Sequence, residues 1–205
     1  MVGLNKEICT LIGLNFKKGI TLALTYTPEN FENTKAIDFR LPATDGKIYS
    51  LSDFQNSKPL VLMFICNHCP YVKAIEDRLI QLGKDLKNLG IHLVAICSND
   101  PINYPDDSFE NLKKRAELKN YSFPYLHDAD QSVAKKYGAV CTPDFFVYNS
   151  KGLLTYRGRL DDSWKDETKV TKRELYQACL DLLESDKLSF QQISSMGCSI
   201  KWTKP

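Results

Sequence analysis

The segment FICNHCPYVKA, residues 64–74, carries two cysteines, Cys66 and Cys69, separated by an asparagine and a histidine. It joins the continuously apolar run PLVLMFIC, residues 59–66, to the segment VKAIEDRLIQLGKDLKNLG, residues 72–90. The apolar run is typical of a central strand in a sheet that is covered on both faces. In the second segment apolar residues recur every three or four positions, which predicts an amphipathic helix. The cysteine pair is therefore predicted to lie where a buried strand passes into a helix.

The elements predicted around this junction indicate an α/β fold. Upstream, residues 37–54 predict two strands joined at Asp45-Gly46, which form an N-terminal β-hairpin. Downstream we predict a buried strand at 91–97, a polar helix at 108–120 and a short helix at 130–140. The two strands of a late hairpin follow at 143–150 and 153–160, and a last helix at 170–185. Strands joined through helices should run parallel, and the late hairpin adds antiparallel strands. The expected architecture is a mixed central β-sheet with helices on both faces.

Length and charge place the chain among ordinary globular proteins. It has 205 residues, of which 43% are hydrophobic, and its net charge is only +2. This balance argues against nucleic-acid and membrane partners, and no stretch approaches the roughly 20 apolar residues of a membrane span. We expect residues 1–35 to form an N-terminal arm, residues 36–185 a single domain, and residues 186–205 a C-terminal tail that packs on it.

Cysteine usage predicts a reducing compartment. The chain has seven cysteines, an odd number, and five of them are single and far apart. A secreted disulfide scaffold is smaller and denser in cysteine. The N-terminal apolar run is short and Lys17-Lys18 follows it, which is not the pattern of a signal peptide. We therefore expect a cytoplasmic protein with mostly reduced thiols.

The position of Cys66 and Cys69 suits redox chemistry. Backbone N–H groups at a helix N-terminus have no intrahelical partner, and together with the helix dipole they stabilise a thiolate. One thiol of a redox pair must attack as a thiolate, and the other must then close the disulfide. His68, between the two, would lower the thiol pKa further if it were protonated or donated a hydrogen bond. A Cys-x-x-Cys at such a junction indicates a thioredoxin-like site.

Metal binding is the main alternative for this motif. Structural zinc takes four ligands, normally from two paired clusters, whereas the remaining cysteines here are single. A site built on Cys66, His68 and Cys69 would need an unusual fourth ligand, so we expect neither a metal nor another bound cofactor. Covalent haem attachment needs a histidine directly after the second cysteine, where this chain has Pro70.

A second feature, Cys141-Thr142-Pro143-Asp144, precedes the predicted strand DFFVY. Proline has no amide donor and is tolerated at few places in a sheet. Its position after the dithiol and before the late hairpin predicts a cis peptide bond at Pro143. The alternative is a trans proline that simply starts a strand.

Several long motifs resemble those of one family. They are FICNHCPYVKAIEDRL, SNDPINYPDDSFENLKKRA, FPYLHDADQSVAKKYGAVCTPDFFVYN, YRGRLDDS and GCSIKW, spread from about Leu24 to Trp202. The chain resembles the peroxiredoxin-like branch of the alkyl hydroperoxide reductase/thiol-specific antioxidant superfamily that carries a thioredoxin-type Cys-x-x-Cys. The resemblance implies a thioredoxin-like fold, a Cys66–Cys69 redox pair and a cis-Pro143 that faces it. The backbone before that proline, at Thr142, would be free to pair with a substrate peptide. Residues 1–21 fall outside the resemblance.

Two reactions follow from this resemblance. The first is thiol–disulfide exchange with an antioxidant role, in which a reductant such as the thioredoxin or glutathione system passes electrons to a disulfide. The second is peroxide reduction, because Cys69 matches the peroxidatic cysteine of peroxiredoxins. The peroxiredoxin pattern Pro-x-x-x-Thr-x-x-Cys is broken here by Leu62 and Cys66, which argues against the second reaction.

The attacking cysteine is open to two interpretations. Proline suits the first position of a helix, so Pro70 would make Cys69 the N-cap and bring it closest to the positive helix end. In the arrangement typical of thioredoxins, by contrast, the first cysteine is exposed and the second is buried. We favour Cys66 as the exposed nucleophile and Cys69 as the resolving thiol.

Other residues are candidates for supporting roles. Asn67 lies within the motif. Cys141 adjoins the cis-proline and could resolve a mixed disulfide or tune the pocket, but we favour a packed thiol at this position. Arg157 and Arg159 could bring a guanidinium to a peroxide, or could be surface arginines paired with Asp161 and Asp162. We expect Cys97 and Cys179 to lie in the core. Cys198 lies in the C-terminal tail, where a third redox role is open, and we expect the position of Cys9 to be incidental.

Overall fold

The computed structural model describes residues 24–28, 34–55 and 58–203. The strands in these ranges are β1 (Leu24–Tyr26), β2 (Arg40–Pro42), β3 (Ile48–Ser50), β4 (Leu60–Phe64), β5 (His92–Cys97), β6 (Tyr125–His127), β7 (Cys141–Thr142), β8 (Asp144–Tyr148), β9 (Leu154–Tyr156) and β10 (Met196–Ser199). The α-helices are α1 (Pro70–Asn88), α2 (Phe109–Lys119), α3 (Ser132–Tyr137) and α4 (Glu174–Glu184), and single 3-10 turns cover Leu51–Phe54, Pro105–Asp107 and Glu167–Lys169. Residues 1–21, which fall outside the family resemblance, lie outside the described residues. They include Cys9, for which an incidental position was predicted.

The central sheet has the strand order β6-β5-β4-β8-β9. Strands β4, β5 and β6 are parallel, whereas β8 pairs antiparallel with β4 and with β9. This confirms the predicted mixed sheet, with early strands joined through helices and a late hairpin. The predicted N-terminal hairpin is confirmed as well, because β2 and β3 pair antiparallel across a turn in which Gly46 has a φ of 84°.

Both faces of the sheet are covered, and alternate residues of β4 contribute to each side. Val61 and Met63 belong to the core beneath α1, α2 and α4, whereas Leu62 and Phe64 belong to the core beneath α3 and the N-terminal hairpin. The two cores confirm helices on both faces and explain why the sequence of β4 is apolar without interruption. No helix among the described residues is long and apolar enough to cross a membrane.

The C-terminal segment forms a second sheet with the order β1-β10-β7. In the ladder between β10 and β7, Cys198 is opposite Thr142 and Ser199 is opposite Cys141. Gly197 makes the close approach of the two strands feasible, because a Cβ at this position would lie 2.0 Å from the carbonyl oxygen of Thr142. Strand β1 lies within the predicted arm and β10 within the predicted tail, so both terminal segments contribute to this sheet.

The two arginines of YRGRL are not paired with Asp161 and Asp162, so that expectation was wrong. Arg157 is buried, and its Nη2 donates to Oδ2 of Asp144 at 2.8 Å. Arg159 instead forms a two-pronged pair with Glu174, at 2.6 and 2.9 Å. The physical reason is that Asp144 lies fully buried at the start of β8, where a carboxylate needs a partner of opposite charge. Burial raises the pKa of Asp144 to about 6, although the contact with Arg157 opposes the rise.

We predict that Asp144→Asn lowers the free energy of unfolding by about 3–5 kcal/mol, because it leaves the buried guanidinium of Arg157 without its counter-charge. The matched control is Asp186→Asn, which removes the acid of a solvent-exposed pair with Lys151. An exposed pair contributes about 0–1 kcal/mol. Urea unfolding monitored by circular dichroism measures both variants. Equal losses in the two would contradict the structural role assigned to Asp144.

Candidate active site

The cysteine pair lies at the predicted junction of strand and helix. Cys66 follows β4 by two residues, and Cys69 is the N-cap of α1, with Pro70 at the first helical position. Proline suits this position because the first N–H groups of a helix have no intrahelical acceptor. Both cysteines are free thiols in this structure.

Thr142 connects the pair to the proline loop. Its Oγ1 lies 3.3 Å from the Sγ of Cys66, and its carbonyl oxygen accepts a hydrogen bond from the Cys69 thiol at 3.1 Å. The peptide bond from Thr142 to Pro143 is cis, as predicted. The residue before the proline therefore touches both sulfur atoms, although the two segments are more than 70 residues apart in sequence.

Asp107 is a site residue that the sequence analysis missed. Its fully buried carboxylate accepts from His68 Nδ1 at 2.5 Å and from the Nδ2 of Asn99 at 2.9 Å. The same Nδ1 of His68 lies 3.7 Å from the Sγ of Cys66. An ionised carboxylate can only accept, so it fixes the proton of the His68 ring on Nδ1. The segment that contains Asp107 is polar throughout and reads as a solvated loop, which concealed this role.

Asn67 holds the loop between the two cysteines in place. Its backbone N–H donates to Oδ1 of Asp107 at 2.7 Å. Its side-chain Nδ2 donates to the carbonyl oxygens of Asp106 and Asn111, both at 3.0 Å. The short motif is thereby tied to the 3-10 turn Pro105–Asp107 and to α2.

Two expectations about access to the site were wrong. Cys66 was expected to be exposed, yet it is 2% exposed and Cys69 is 0% exposed. The backbone at Thr142 was expected to be free for a substrate peptide, yet it pairs with Cys198. Strand β10 explains the second difference directly, because it occupies the edge of β7 beside the cysteine pair. Over the loop between the cysteines, the ring of Tyr104 stacks on His68 with 4.9 Å between the ring centroids.

The two thiols have opposite electrostatic surroundings. Burial raises the pKa of Cys66 well above its usual value, and the contact with Cys69 and the charge of Asp107 raise it further. Burial also disfavours a thiolate at Cys69, but the thiols of Cys198 and Cys66 and the backbone N–H of Val72 outweigh it and bring its pKa well below the usual value. These surroundings favour Cys69 as the thiolate, whereas the choice of Cys66 as the nucleophile stays a prediction.

The remaining cysteines are buried thiols. Cys141 donates to the carbonyl oxygen of Pro143 at 3.5 Å, and burial raises its pKa. Cys97 and Cys179 are fully buried, and burial raises the pKa of both. The pKa of Cys198 is raised by its interaction with Cys69 and by burial. Among these thiols, Cys198 is set apart by its interaction with Cys69, which raises its pKa.

The structure also places three ligand-type atoms together, although not those of the metal site considered from the sequence. Atoms of Cys66, His68 and Asp107 lie within 4.8 Å of one another. Cys69 is not part of this group, since its sulfur faces Thr142 and Cys198. The guanidinium groups of Arg157 and Arg159 pair with the carboxylates of Asp144 and Glu174. These pairings do not direct either guanidinium towards the thiols.

Paired thiols at a strand–helix junction, opposed by a cis-proline in a mixed sheet, are typical of proteins with a thioredoxin-like fold. The family model described as AhpC/TSA matches residues 33–157, more than half of the chain. The chain therefore belongs to the AhpC/TSA family.

Curated relatives are similar at low identity. The thiol:disulfide interchange protein DsbE of Tatumella citrea is 28% identical over 125 residues, which cover 60% of this chain and 62% of that protein. Peroxiredoxin Bcp of Escherichia coli K12 is 26% identical over 129 residues, which cover 63% of this chain and 78% of that protein. The chain thus spans about three fifths of the length of the DsbE relative.

Solved structures agree with the fold. An uncharacterized conserved protein of Geobacillus kaustophilus is 40% identical with a TM-score of 0.86, and the match covers 91% of this chain and 100% of that chain. A thiol:disulfide interchange protein of the thioredoxin family from Chlorobium tepidum is 20% identical with a TM-score of 0.52, covering 62% and 86%. The second likeness bears on the fold alone, which is thioredoxin-like.

We predict that Asp107→Asn lowers the pKa of Cys66, because it removes the negative charge that opposes a thiolate there. In a Cys69→Ser background, the pH profile of Cys66 alkylation should move to lower pH, as read by peptide mass spectrometry. The matched control is Asp106→Asn, which removes the charge of the exposed neighbouring acid. A profile that moves equally in both variants would show that the carboxylate of Asp107 has no specific effect on Cys66.

Proposed function

We propose that this protein is a thiol–disulfide oxidoreductase that exchanges disulfides through Cys66 and Cys69. The observation that carries the proposal is the contact of both sulfur atoms with Thr142, directly before the cis-proline. Two thiols held against one residue are positioned to close a disulfide with little rearrangement of the backbone. The names of the DsbE relatives support the same reaction class.

The proposed reaction consists of two successive thiol–disulfide exchanges. In this scheme the roles predicted from the sequence are exchanged, because the surroundings favour a thiolate at Cys69. The Cys69 thiolate attacks a substrate disulfide, forms a mixed disulfide and releases the first substrate thiolate. The Cys66 thiol then attacks the Cys69 sulfur, and its proton passes to the second substrate thiolate as that group leaves. The substrate gains two electrons and the protein retains a Cys66–Cys69 disulfide. A thiol reductant, such as the thioredoxin or glutathione system, restores the dithiol.

In this scheme His68 and Asp107 are positioning residues. The negative charge of Asp107 keeps Cys66 protonated, so that the thiolate is concentrated on one sulfur of the pair. The hydrogen bonds that Asp107 accepts from His68 and Asn67 also hold the loop between the cysteines. We place the reaction in the cytoplasm, as the scattered single cysteines of the sequence suggest, and the family resemblance suggests an antioxidant role.

Peroxide reduction by Cys69 is the second candidate function. It is favoured by the depressed pKa of Cys69 and by the Bcp relative. Cleavage of an O–O bond needs donors that stabilise the leaving oxygen. The peroxiredoxin threonine position is occupied by Cys66, and the guanidinium of Arg157 is held by Asp144. These features favour disulfide exchange over peroxide reduction.

The test compares insulin disulfide reduction with hydrogen peroxide consumption in the full-length protein. We expect Cys69→Ser to reduce insulin reduction to background, because it removes the attacking sulfur, and Cys66→Ser to lower it, because it removes the resolving sulfur of the pair. The matched control, Cys179→Ser, changes a buried thiol of the core and should retain the activity. Peroxide consumption that survives in Cys66→Ser and disappears only in Cys69→Ser would establish the peroxidase reaction instead.

A second prediction concerns pH. Because the pKa of Cys69 is depressed, its thiolate persists as the pH falls below the usual thiol range. Alkylation at about pH 6 should therefore label Cys69 well before Cys179, whose pKa is raised by burial. Timed labelling with iodoacetamide and peptide mass spectrometry gives both rates in one sample. Uniform slow labelling of all cysteines would argue against a catalytic dithiol.

A further inference from the structure

Strand β10 occupies the edge of the cis-proline loop. Cys198 pairs with Thr142 and Ser199 with Cys141, and the hydroxyl of Ser195 donates to the carbonyl oxygen of Pro143 at 2.9 Å. A side chain at Gly197 would collide with the Thr142 carbonyl, so the sequence is suited to this close contact. The protein's own C-terminal strand thus takes the place that the sequence analysis assigned to a substrate peptide.

The same strand brings a third thiol to the pair. Cys198 is directly across the ladder from Thr142, the residue whose carbonyl oxygen lies 3.1 Å from the Cys69 sulfur. Cys198 is 1% exposed and belongs to the same buried cluster as Cys66 and Cys69. The Cys198 thiol also lowers the pKa of Cys69, in the direction expected of a neighbouring donor.

Anchors on both sides of Cys198 fix its position. Before it, the backbone N–H of Ser195 donates to Oγ1 of Thr27 at 2.9 Å. After it, the backbone N–H of Lys201 donates to Oδ1 of Asn99 at 2.8 Å, and the carbonyl oxygen of Lys201 accepts from Gln131 at 2.8 Å. A thiol held in this way reacts with its neighbour as an intramolecular partner, which raises its effective concentration.

We propose that Cys198 is a third redox-active cysteine that forms a disulfide with Cys69. The proposal rests on the proposed function, because it requires Cys69 to react with a substrate disulfide. The Cys198 thiol attacks the mixed disulfide at Cys69, the bond to the substrate sulfur breaks, and the substrate leaves with the proton of Cys198. The substrate disulfide is reduced to two thiols, and the protein is oxidised to a Cys69–Cys198 disulfide.

The new disulfide is connected to the Cys66–Cys69 pair by one internal exchange. Cys66 attacks the Cys69 sulfur, a Cys66–Cys69 bond forms, and Cys198 leaves as a thiol that takes up the proton of Cys66. No electrons are gained or lost in this step. Cys198 therefore acts as an alternative resolving cysteine, and its disulfide fixes β10 across the cis-proline loop.

The test maps disulfides in the full-length protein after oxidation by glutathione disulfide at pH 7. Samples are quenched with acid and N-ethylmaleimide and analysed by non-reducing peptide mass spectrometry. We expect the wild type to contain a Cys66–Cys69 disulfide and Cys66→Ser to contain a Cys69–Cys198 disulfide. Adding Cys198→Ser to Cys66→Ser should slow release of glutathione from Cys69 by about tenfold or more, because the intramolecular partner is gone.

The matched control is Cys141→Ser in the Cys66→Ser background. Cys141 lies one position along the same ladder, but its thiol is directed at the Pro143 carbonyl oxygen. This control should still form the Cys69–Cys198 disulfide. Circular dichroism establishes that each variant is folded, and Cys66→Ala replaces Cys66→Ser if the serine variant does not fold.

The outcomes separate this inference from the proposed function. A Cys66→Ser protein that accumulates glutathione on Cys69 while Cys198 stays a free thiol would overturn the inference, even if the wild type forms the Cys66–Cys69 disulfide. A wild type that forms no Cys66–Cys69 disulfide and does not reduce insulin would overturn the proposed function. If the Cys69–Cys198 disulfide still forms in that case, the inference stands on its own.

Discussion

The contact of Thr142 with both sulfur atoms is the interaction on which the site depends. It joins the junction between β4 and α1 to the end of β7, two segments that are distant in the chain. The buried ion pair between Asp144 and Arg157 lies directly beyond the proline and holds the start of β8. The geometry of the thiols is therefore set by the sheet and its core, and not by the short Cys-x-x-Cys motif alone.

The unequal surroundings of the two thiols follow from what each sulfur faces. Cys66 faces the acid of Asp107, which is fully buried and cannot be screened by solvent. Cys69 contacts the carbonyl oxygen of Thr142, but the thiols of Cys198 and Cys66 and the backbone N–H of Val72 favour its thiolate. A low effective dielectric strengthens both effects. A pair of chemically identical side chains is thereby divided into one thiol and one thiolate.

Much of the fold could be predicted from the sequence because its signals are local. The apolar run of β4 and the periodicity of α1 are confirmed by the structure, as are the hairpin turn at Gly46 and the cis bond at Pro143. The short strands β1, β6, β7 and β10 have two to four residues each, too few for alternation to be recognised. At the site, the cysteine pair was evident from spacing. Asp107 was missed because its importance comes from burial, which a polar loop sequence does not reveal.

The position of β10 in its sheet has a consequence for access to the thiols. It is the middle strand, hydrogen-bonded to β7 on one side and to β1 on the other. Because both of its edges are hydrogen-bonded, β10 cannot leave β7 by itself: it would also have to part from β1 or carry that strand with it. A bulky partner therefore reaches the backbone at Thr142 only where the pairing between β10 and β7 opens.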